Sequence, residues 1–387
     1  MKQNIMVIFG GKSVEHDISV ITGVQAINNL NKDKYTIYPV FIDKQGRWFF
    51  NEKFDDINNI INYKNLKSTH SVAMLPQDQT LYKTTKNKLK KLATIDCIIC
   101  CTHGASGENG ALQGLFELIN VPYTSPNVLS SAICMDKLIS KKLFENSLIP
   151  VCPYMSFGDN QIQSFPKQTV DQILSKLDLP LVIKPNNLGS SIGISFVKDK
   201  KSLKQALILA SSFSDKVIVE KAVTNLYEIN VSVFYYNNKV QVSLPEKPTT
   251  NKDFLSFEEK YLHNPSKKSG MASLSREFPA KISKDIYDKI ISYSTQAYLA
   301  CNLNGLVRVD YLVDSKTNNV YINEINTIPG SLSFYLWKDK YSFMQLLDIM
   351  IEESIKNKAK LNKKTIVYDT NVLDNFALNS DNIKMHK

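Results

Sequence analysis

Residues 305–330, GLVRVDYLVDSKTNNVYINEINTIPG, constrain this chain more than any other stretch. They read as two short strands joined by a polar turn from Asp314 to Asn319. Side chains two apart on a strand share a face. Arg308 therefore shares a face with Asp310, and Glu324 with Asn326. If the two strands pair, a guanidinium, two carboxylates and an amide meet on one surface. Such a cluster repels itself unless a positive group sits in it. A hard divalent cation carrying polyphosphate is the natural occupant of oxygen donors of this kind. A solvated hairpin face laced with salt bridges would use the same residues, and the rest of the chain has to decide between the two.

The chain has 387 residues, with 43% hydrophobic and 22% charged content, enough for two or three domains with real cores. No apolar run reaches the length of a membrane span. The N-terminal MKQNIMVIFGG runs from a few polar residues straight into a strand, without the apolar segment of a signal peptide. A cytoplasmic location is expected. Of six cysteines, Cys97, Cys100 and Cys101 lie in one apolar run, which reads as a buried, reduced strand rather than a zinc site. The net charge of +10 invites a nucleic-acid reading. The lysines are spread along the chain, however, with no interleaved aromatics. A positive field would equally help to collect an anionic nucleotide.

Ile5–Phe9 is a strand that ends at Gly10-Gly11, followed by a helix to Leu30. Ser13 is placed to cap that helix, with Glu15 in its first turn, where negative charge is favoured in any case. Tyr35–Ile42 is a second strand. Residues 45–92 read as a polar, irregular excursion decorated with a hairpin or a short helix. The buried strand Asp96–Thr102 runs into the glycine loop His103–Gly110 and a helix, Ala111–Ile119. This succession predicts an open, mostly parallel α/β unit with ligand loops at the carboxyl ends of its strands. Leu129–Asn146 reads as one helix with Lys137 in its middle. Leu181–Lys184 is a strand entering the glycine- and serine-rich loop 185–193, which contains Ser190 and Ser191. No helix follows that loop, so it is a hairpin lid able to fold over phosphates, or a surface turn, and not a P-loop. Lys184 at its base favours phosphate. Val217–Lys221 ends in Glu220 and Lys221, and Glu228 precedes the strand Ile229–Phe234. Residues 239–281 carry Glu259-Lys260-Tyr261 and a loop-like stretch, suited to a lid. Helices are expected over Ile286–Ala300 and Phe343–Ile355, then a polar tail.

Eight blocks then occur in a telling order: GGKSVEHDISV, THGASGENGALQGLFEL, SSAICMDKLISKKL, PLVIKPNNLGSSIGIS, VIVEKAV, FEEKY, GLVRVDY and INEINTIPG. Together they resemble the D-alanine–D-alanine ligases of the ATP-grasp family over roughly residues 4–355. The resemblance implies an α/β fold of three domains, with a first-substrate domain over 1–124, a lid domain over 125–222, a metal and acceptor domain over 223–358, and a tail over 359–387. It implies a ligase that uses ATP and Mg²⁺ or Mn²⁺, two ions, to join two D-alanine molecules through an acyl phosphate for peptidoglycan precursors. It also implies a homodimer, with neither nucleic acid nor membrane as partner.

Carried over residue by residue, Glu15 resembles the acid that holds the first substrate's ammonium, and His103 the histidine near its carboxylate. Lys137 and Lys184 resemble the phosphate lysines, with Ser190 and Ser191 in the phosphate loop and Ser190 linking Glu15 to Tyr261. Glu220, Lys221 and Glu228 resemble the adenine- and ribose-side residues, and Lys260 a γ-phosphate contact on the mobile loop. Asp310, Glu324 and Asn326 resemble the metal ligands, and Arg308 with the Gly330 N–H the oxyanion donors. The match fails after Gly330. There the family places a serine that holds the second substrate's carboxylate, and this chain has Tyr335 at that spacing. A relative that joins D-alanine to another acceptor, such as D-serine, is therefore the nearest alternative. A nucleotide-binding regulator without activity is disfavoured by the intact Lys184, Arg308, Asp310, Glu324 and Asn326.

Overall fold

The computed structural model describes residues 2–248, apart from 77, 87 and 191, and residues 276–365, with 370, 372 and 373. Ser191, Lys260 and Tyr261 lie outside the described residues, as do the 263–275 stretch and most of the tail. Three sheets carry the fold, together with a two-stranded ribbon.

The first unit begins β1 (Gln3–Gly10), α1 (His16–Asn29), β2 (Tyr35–Ile42), β3 (Trp48–Phe50) and α2 (Ile57–Ile61). It continues β4 (His70–Met74), β5 (Thr80–Thr84), β6 (Leu89–Thr94), β7 (Cys97–Cys100), α3 (Ala105–Glu108) and α4 (Ala111–Ile119). Its seven strands are ordered β6-β5-β4-β3-β2-β1-β7. The run Ile5–Phe9 is fully buried, as a strand covered on both faces must be. It pairs in parallel with β2 and β7. The 45–92 excursion holds the expected short helix, α2, and hairpin pairing, and is more ordered than its composition implies. It supplies β3 to β6, which extend the sheet by antiparallel pairing. Its polar composition hid the strands because only alternate residues, such as Val72, Met74, Leu81 and Ala93, reach the core. All six cysteines are buried and free.

The start of α1 also departs from expectation. Glu15 occupies the N-cap position without a side-chain capping bond. The Ser13 hydroxyl accepts the Glu15 N–H at 3.0 Å and so shapes the turn that precedes the helix.

The second unit opens with two helices where one was expected, α5 (Val128–Met135) and α6 (Lys137–Asn146). Asp136 breaks them, with φ −88° and ψ 103°, and its carboxylate accepts the Ile139 N–H at 2.9 Å. Lys137 thus opens a helix rather than sitting inside one. The order then runs β8 (Tyr154–Gly158), α7 (Asp159–Ser164), α8 (Pro166–Leu174), β9 (Leu181–Pro185), β10 (Ser195–Val197), α9 (Lys200–Ser211) and β11 (Lys216–Lys221). The sheet order is β10-β9-β11-β8, all antiparallel.

The third unit contains β12 (Leu226–Tyr236), β13 (Lys239–Val242), β14 (Lys247–Pro248), β15 (Arg276–Glu277), α10 (Lys284–Ala300), β16 (Val307–Asp314) and β17 (Val320–Asn326). A 3-10 segment over Gly330–Leu336 and α11 (Phe343–Asn362) complete it. Its main sheet is β13-β12-β16-β17. The residues after Gly330 do not pack in this unit alone. Leu332, Leu336, Trp337, Leu346 and Leu347 join the core of the first unit, which pins the end of the opening stretch beside α1.

Asp136→Ala should remove the cap of α6 and cost about 1 kcal/mol of stability. It should also weaken nucleotide binding, since Lys137 is the next residue. A thermal melt and a nucleotide titration check the two effects separately.

Candidate active site

The hairpin forms as its sequence implies. Across β16 and β17, Arg308 faces Asn326 and Asp310 faces Glu324. Arg308 Nε lies 2.6 Å and Nη2 2.7 Å from the two Asp310 oxygens, a bidentate pair. The Asn326 amide donates to Asp310 Oδ2 at 3.0 Å. The pairing shifts just beyond Asp310, so that Tyr311 faces Ile322 and Asn323 becomes the extra residue of a bulge. Strict alternation would turn Asn323 away from Glu324. The bulge brings it to the same side, where its Oδ1 accepts Lys184 Nζ at 3.1 Å.

Opposite this face lies the lysine cluster of the second unit. The Glu220 carboxylate receives Lys184 Nζ at 2.8 Å and has Lys141 Nζ at 3.0 Å. The side chains of Glu220 and Lys141 are each only 2% exposed. Burial by itself would raise the Glu220 pKa, but Lys141 and Lys184 together hold it down to about 2. Lys137 Nζ donates to the Leu188 carbonyl at 2.7 Å and lies 3.5 Å from Glu324. A cleft of about 680 Å³ opens between the two units, lined by Lys137, Lys184, Ser190, Glu220, Lys221, Glu228, Asp310, Asn323 and Glu324.

The first unit closes the far side. Ser190, at φ 53°, donates its hydroxyl to Glu15 Oε1. This contact crosses 175 residues and brings the glycine- and serine-rich loop onto the start of the first helix. Gly104 has φ +65°, and a Cβ there would fall 2.4 Å from Glu15 Oε2. Only glycine lets this backbone approach the carboxylate. His103 is buried. Its Nε2 lies 2.9 Å from the Thr22 hydroxyl, which accepts the Ser331 N–H at 3.0 Å. Thr22 thus links the Ser331 backbone to the His103 ring, which also bonds the Ile328 backbone. Burial lowers the His103 pKa to about 4, so the ring is neutral at pH 7.

Several functional positions were not legible as such. Glu108 accepts the Gly104 N–H at 2.6 Å and the Ile328 N–H at 3.0 Å, joining the glycine loop to the segment before Gly330. Its pKa is pushed up by burial first and then by Glu15. The only hint was an acid inside a glycine loop. Lys141 was detectable as the i+4 neighbour of Lys137 on one helix face. Glu246 and Arg276 gave no signal at all. They meet Tyr335, whose hydroxyl lies 3.5 Å from Glu246 Oε1 and whose ring lies 3.9 Å beneath the Arg276 guanidinium.

Lysines lining a cleft between two antiparallel sheets, facing paired carboxylates, fit the ATP-grasp class of enzyme. Comparison with known sequences agrees. The family described as D-ala D-ala ligase N-terminus matches residues 4–126, and the D-ala D-ala ligase C-terminus matches residues 143–352. A D-alanine–D-alanine ligase of Thermosipho africanus is 37% identical over 374 residues, covering 96% of this chain and 98% of the relative. One from Oceanobacillus iheyensis is 33% identical over 371 residues, covering 93% and 97%. Among solved structures, the D-alanine–D-alanine ligase of Coxiella burnetii superimposes with a TM-score of 0.78 at 27% identity, over 94% of this chain and 96% of that one. A D-Ala:D-Ser ligase from Enterococcus faecalis gives 0.78 at 28%, over 92% and 100%. The chain belongs to the D-alanine–D-alanine ligase family.

The His103 ring sets a pH dependence. The unfolded imidazole takes its proton near the ordinary 6.5, whereas the folded one resists until about 4. Stability should therefore fall as pH drops from 6.5 to 4, by about 3 kcal/mol from this group. Urea melts at pH 7 and 4.5 check this, and in His103→Gln the acid-side loss should shrink by about that amount.

Proposed function

We propose that this enzyme uses ATP to join two D-alanine molecules, and that the described cleft divides the work as follows. The triphosphate lies along Lys137 and Lys184, with Ser190 beside it, and we assign Ser191 and Lys260 as further phosphate contacts. Glu220 fixes the direction of Lys184, and with Lys221 and Glu228 it borders the adenosine. The first D-alanine sits between Glu15, for its ammonium, and neutral His103. Its carboxylate attacks the γ-phosphorus, and the P–O bond to ADP breaks, giving an acyl phosphate. The amine of the second D-alanine, having lost one proton, then attacks the acyl carbon. Charge develops on the carbonyl oxygen, where Arg308 and the Gly330 N–H are positioned to meet it. Phosphate leaves as the peptide bond forms. Ser190 ties its own loop to Glu15 on the first-substrate side.

The observation that carries this reading is the cross-strand placement of Arg308, Asp310, Glu324 and Asn326 opposite the lysine cleft. Two carboxylates and an amide supply hard oxygen donors, which fit Mg²⁺ or Mn²⁺, with ATP oxygens completing the set. We assign Asp310, Glu324 and Asn326 as the residues that would hold the ions, two in number. When bound, they supply charge neutralisation along the phosphates. The three sheets support the division of the chain at about residues 124 and 222 into first-substrate, lid and acceptor domains. Among the described residues no helix is long and apolar enough to cross a membrane. We place the enzyme in the cytoplasm, as a homodimer, making precursor dipeptide for peptidoglycan.

Phosphate release with ATP, Mg²⁺ and D-alanine tests the proposal. Turnover only with a mixed pair such as D-alanine and D-serine would favour the other acceptor, for which the altered Ser331–Trp337 segment is the observation. Glu324→Gln should lower kcat at least 100-fold while leaving the fold intact. Near-normal turnover would remove Glu324 from the metal site. Tyr335→Phe should raise KM for the second D-alanine more than for ATP.

A further inference from the structure

Arg276 lies on β15, paired with Pro248 of β14, and its side chain ends in the charged row of the site described above. Its Nη1 is 2.7 Å from Glu246 Oε2, and its side chain is 13% exposed. Glu246 is buried and also accepts the Asn230 amide at 3.2 Å. Asn230 faces Asp310 across β12 and β16, and its neighbour on the same face, Ser232, faces Arg308. The Arg276 guanidinium stacks 3.9 Å over the Tyr335 ring. Tyr335 and Glu246 both lie within the electrostatic reach of Arg308. The order along the row is thus Asp310, Arg308, the Tyr335–Glu246 pair, then Arg276.

An amino-acid acceptor brings a carboxylate into this cleft as well as an amine. That negative charge needs a cation on the side of Arg308 away from the nucleotide. Among the described residues, Lys137, Lys141 and Lys184 all sit on the nucleotide side, paired with Glu324 or Glu220. Arg308 is engaged by Asp310 through both oxygens. Arg276 is the next cation along the row. Glu246 holds it by one edge and Tyr335 by one face, which fixes the direction of a planar fork that has five N–H donors.

We propose that Arg276 binds the carboxylate of the acceptor amino acid, with Glu246 and Tyr335 as the residues that position it. The proposal rests on the ligase reading above. It accounts for the aromatic at position 335. A tyrosine ring is a platform for a guanidinium, whereas a small hydroxyl residue is not.

The test is an internal competition. The enzyme is given ATP, Mg²⁺, and D-alanine with an equal amount of D-alaninamide, which can accept through its amine but has no carboxylate. The ratio of D-alanyl-D-alanine to D-alanyl-D-alaninamide reads the acceptor site alone. Nucleotide affinity, first-site occupancy and the fraction of folded enzyme cancel. In Arg276→Met the ratio should fall about 10- to 100-fold relative to wild type, the loss expected for a charge-assisted contact. The double variant Arg276→Met with Glu246→Gln, which leaves no buried carboxylate unpaired, should show the same shift. Arg276→Lys keeps the charge beside Glu246 and so keeps the fold. It loses the fork, and its ratio should fall severalfold. A ratio within about twofold of wild type, in any of these variants that turns over, overturns the assignment and leaves Arg276 a packing residue. Loss of all activity in Arg276→Lys despite a wild-type melt would also overturn it, by placing Arg276 in the chemical step. Failure of the wild-type enzyme to make D-alanyl-D-alanine would instead remove the ligase reading itself.

Discussion

Asp310 and Glu324 face each other across two neighbouring strands, and like charges so placed repel. The rest of the site is built around that repulsion. Arg308 takes Asp310 by both oxygens, and Lys137 approaches Glu324 from the second unit. The pairing of β16 with β17 sets which residues meet. The bulge at Asn323 then adds a third polar group to the same side without moving the carboxylates apart. A one-residue slip would send all of these groups to the opposite face and into the hydrophobic core. The buried alternation of Val307, Val309, Tyr311 and Val313 on that opposite face makes such a slip prohibitive.

A site assembled from three units also needs its units held in register. Polar contacts and a shared apolar core both do this. Glu108 spans the Gly104 and Ile328 N–H groups. Thr22 passes a hydrogen bond from Ser331 to His103. Ser190 reaches Glu15. Each joins the glycine loops of the first and second units to α1 or to the segment around Gly330. The apolar counterpart is the packing of Leu332, Leu336, Trp337 and α11 into the first unit's core. The segment to which we assign an oxyanion donor is therefore anchored by the domain that we propose holds the first substrate. That is a sound arrangement for chemistry that depends on placing two substrates against each other.

Much of this was legible in the residues. The period-2 pattern of 305–330, the strand–glycine–helix succession at the N-terminus and the buried strand 181–184 all follow from local rules. So does the shared face of Arg308 and Asp310. The errors also have local causes. Leu129–Asn146 looked like one helix because helical periodicity continues through Asp136, and periodicity alone does not reveal that a carboxylate has turned to cap the next segment. The 45–92 region looked irregular because its strands bury only alternate residues and carry lysine and asparagine on the other face. There the tertiary pairing outweighed a weak local preference.

By itself, the sequence determined the kinds of side chain available to the site, the strands that present most of them, and the family whose order of motifs they follow. Those properties depend on neighbours along the chain and on spacings of two to four residues. The tertiary structure alone decided that Glu220 would be held between Lys141 and Lys184. It alone placed Asn323 with Glu324, joined Glu108 to Ile328, and set Arg276 on Tyr335 beside Glu246. These contacts of Glu220, Glu108 and Arg276 link residues from 30 to 220 positions apart. No local periodicity encodes such a meeting, because it exists only once separate elements have packed and a buried charge must find its partner.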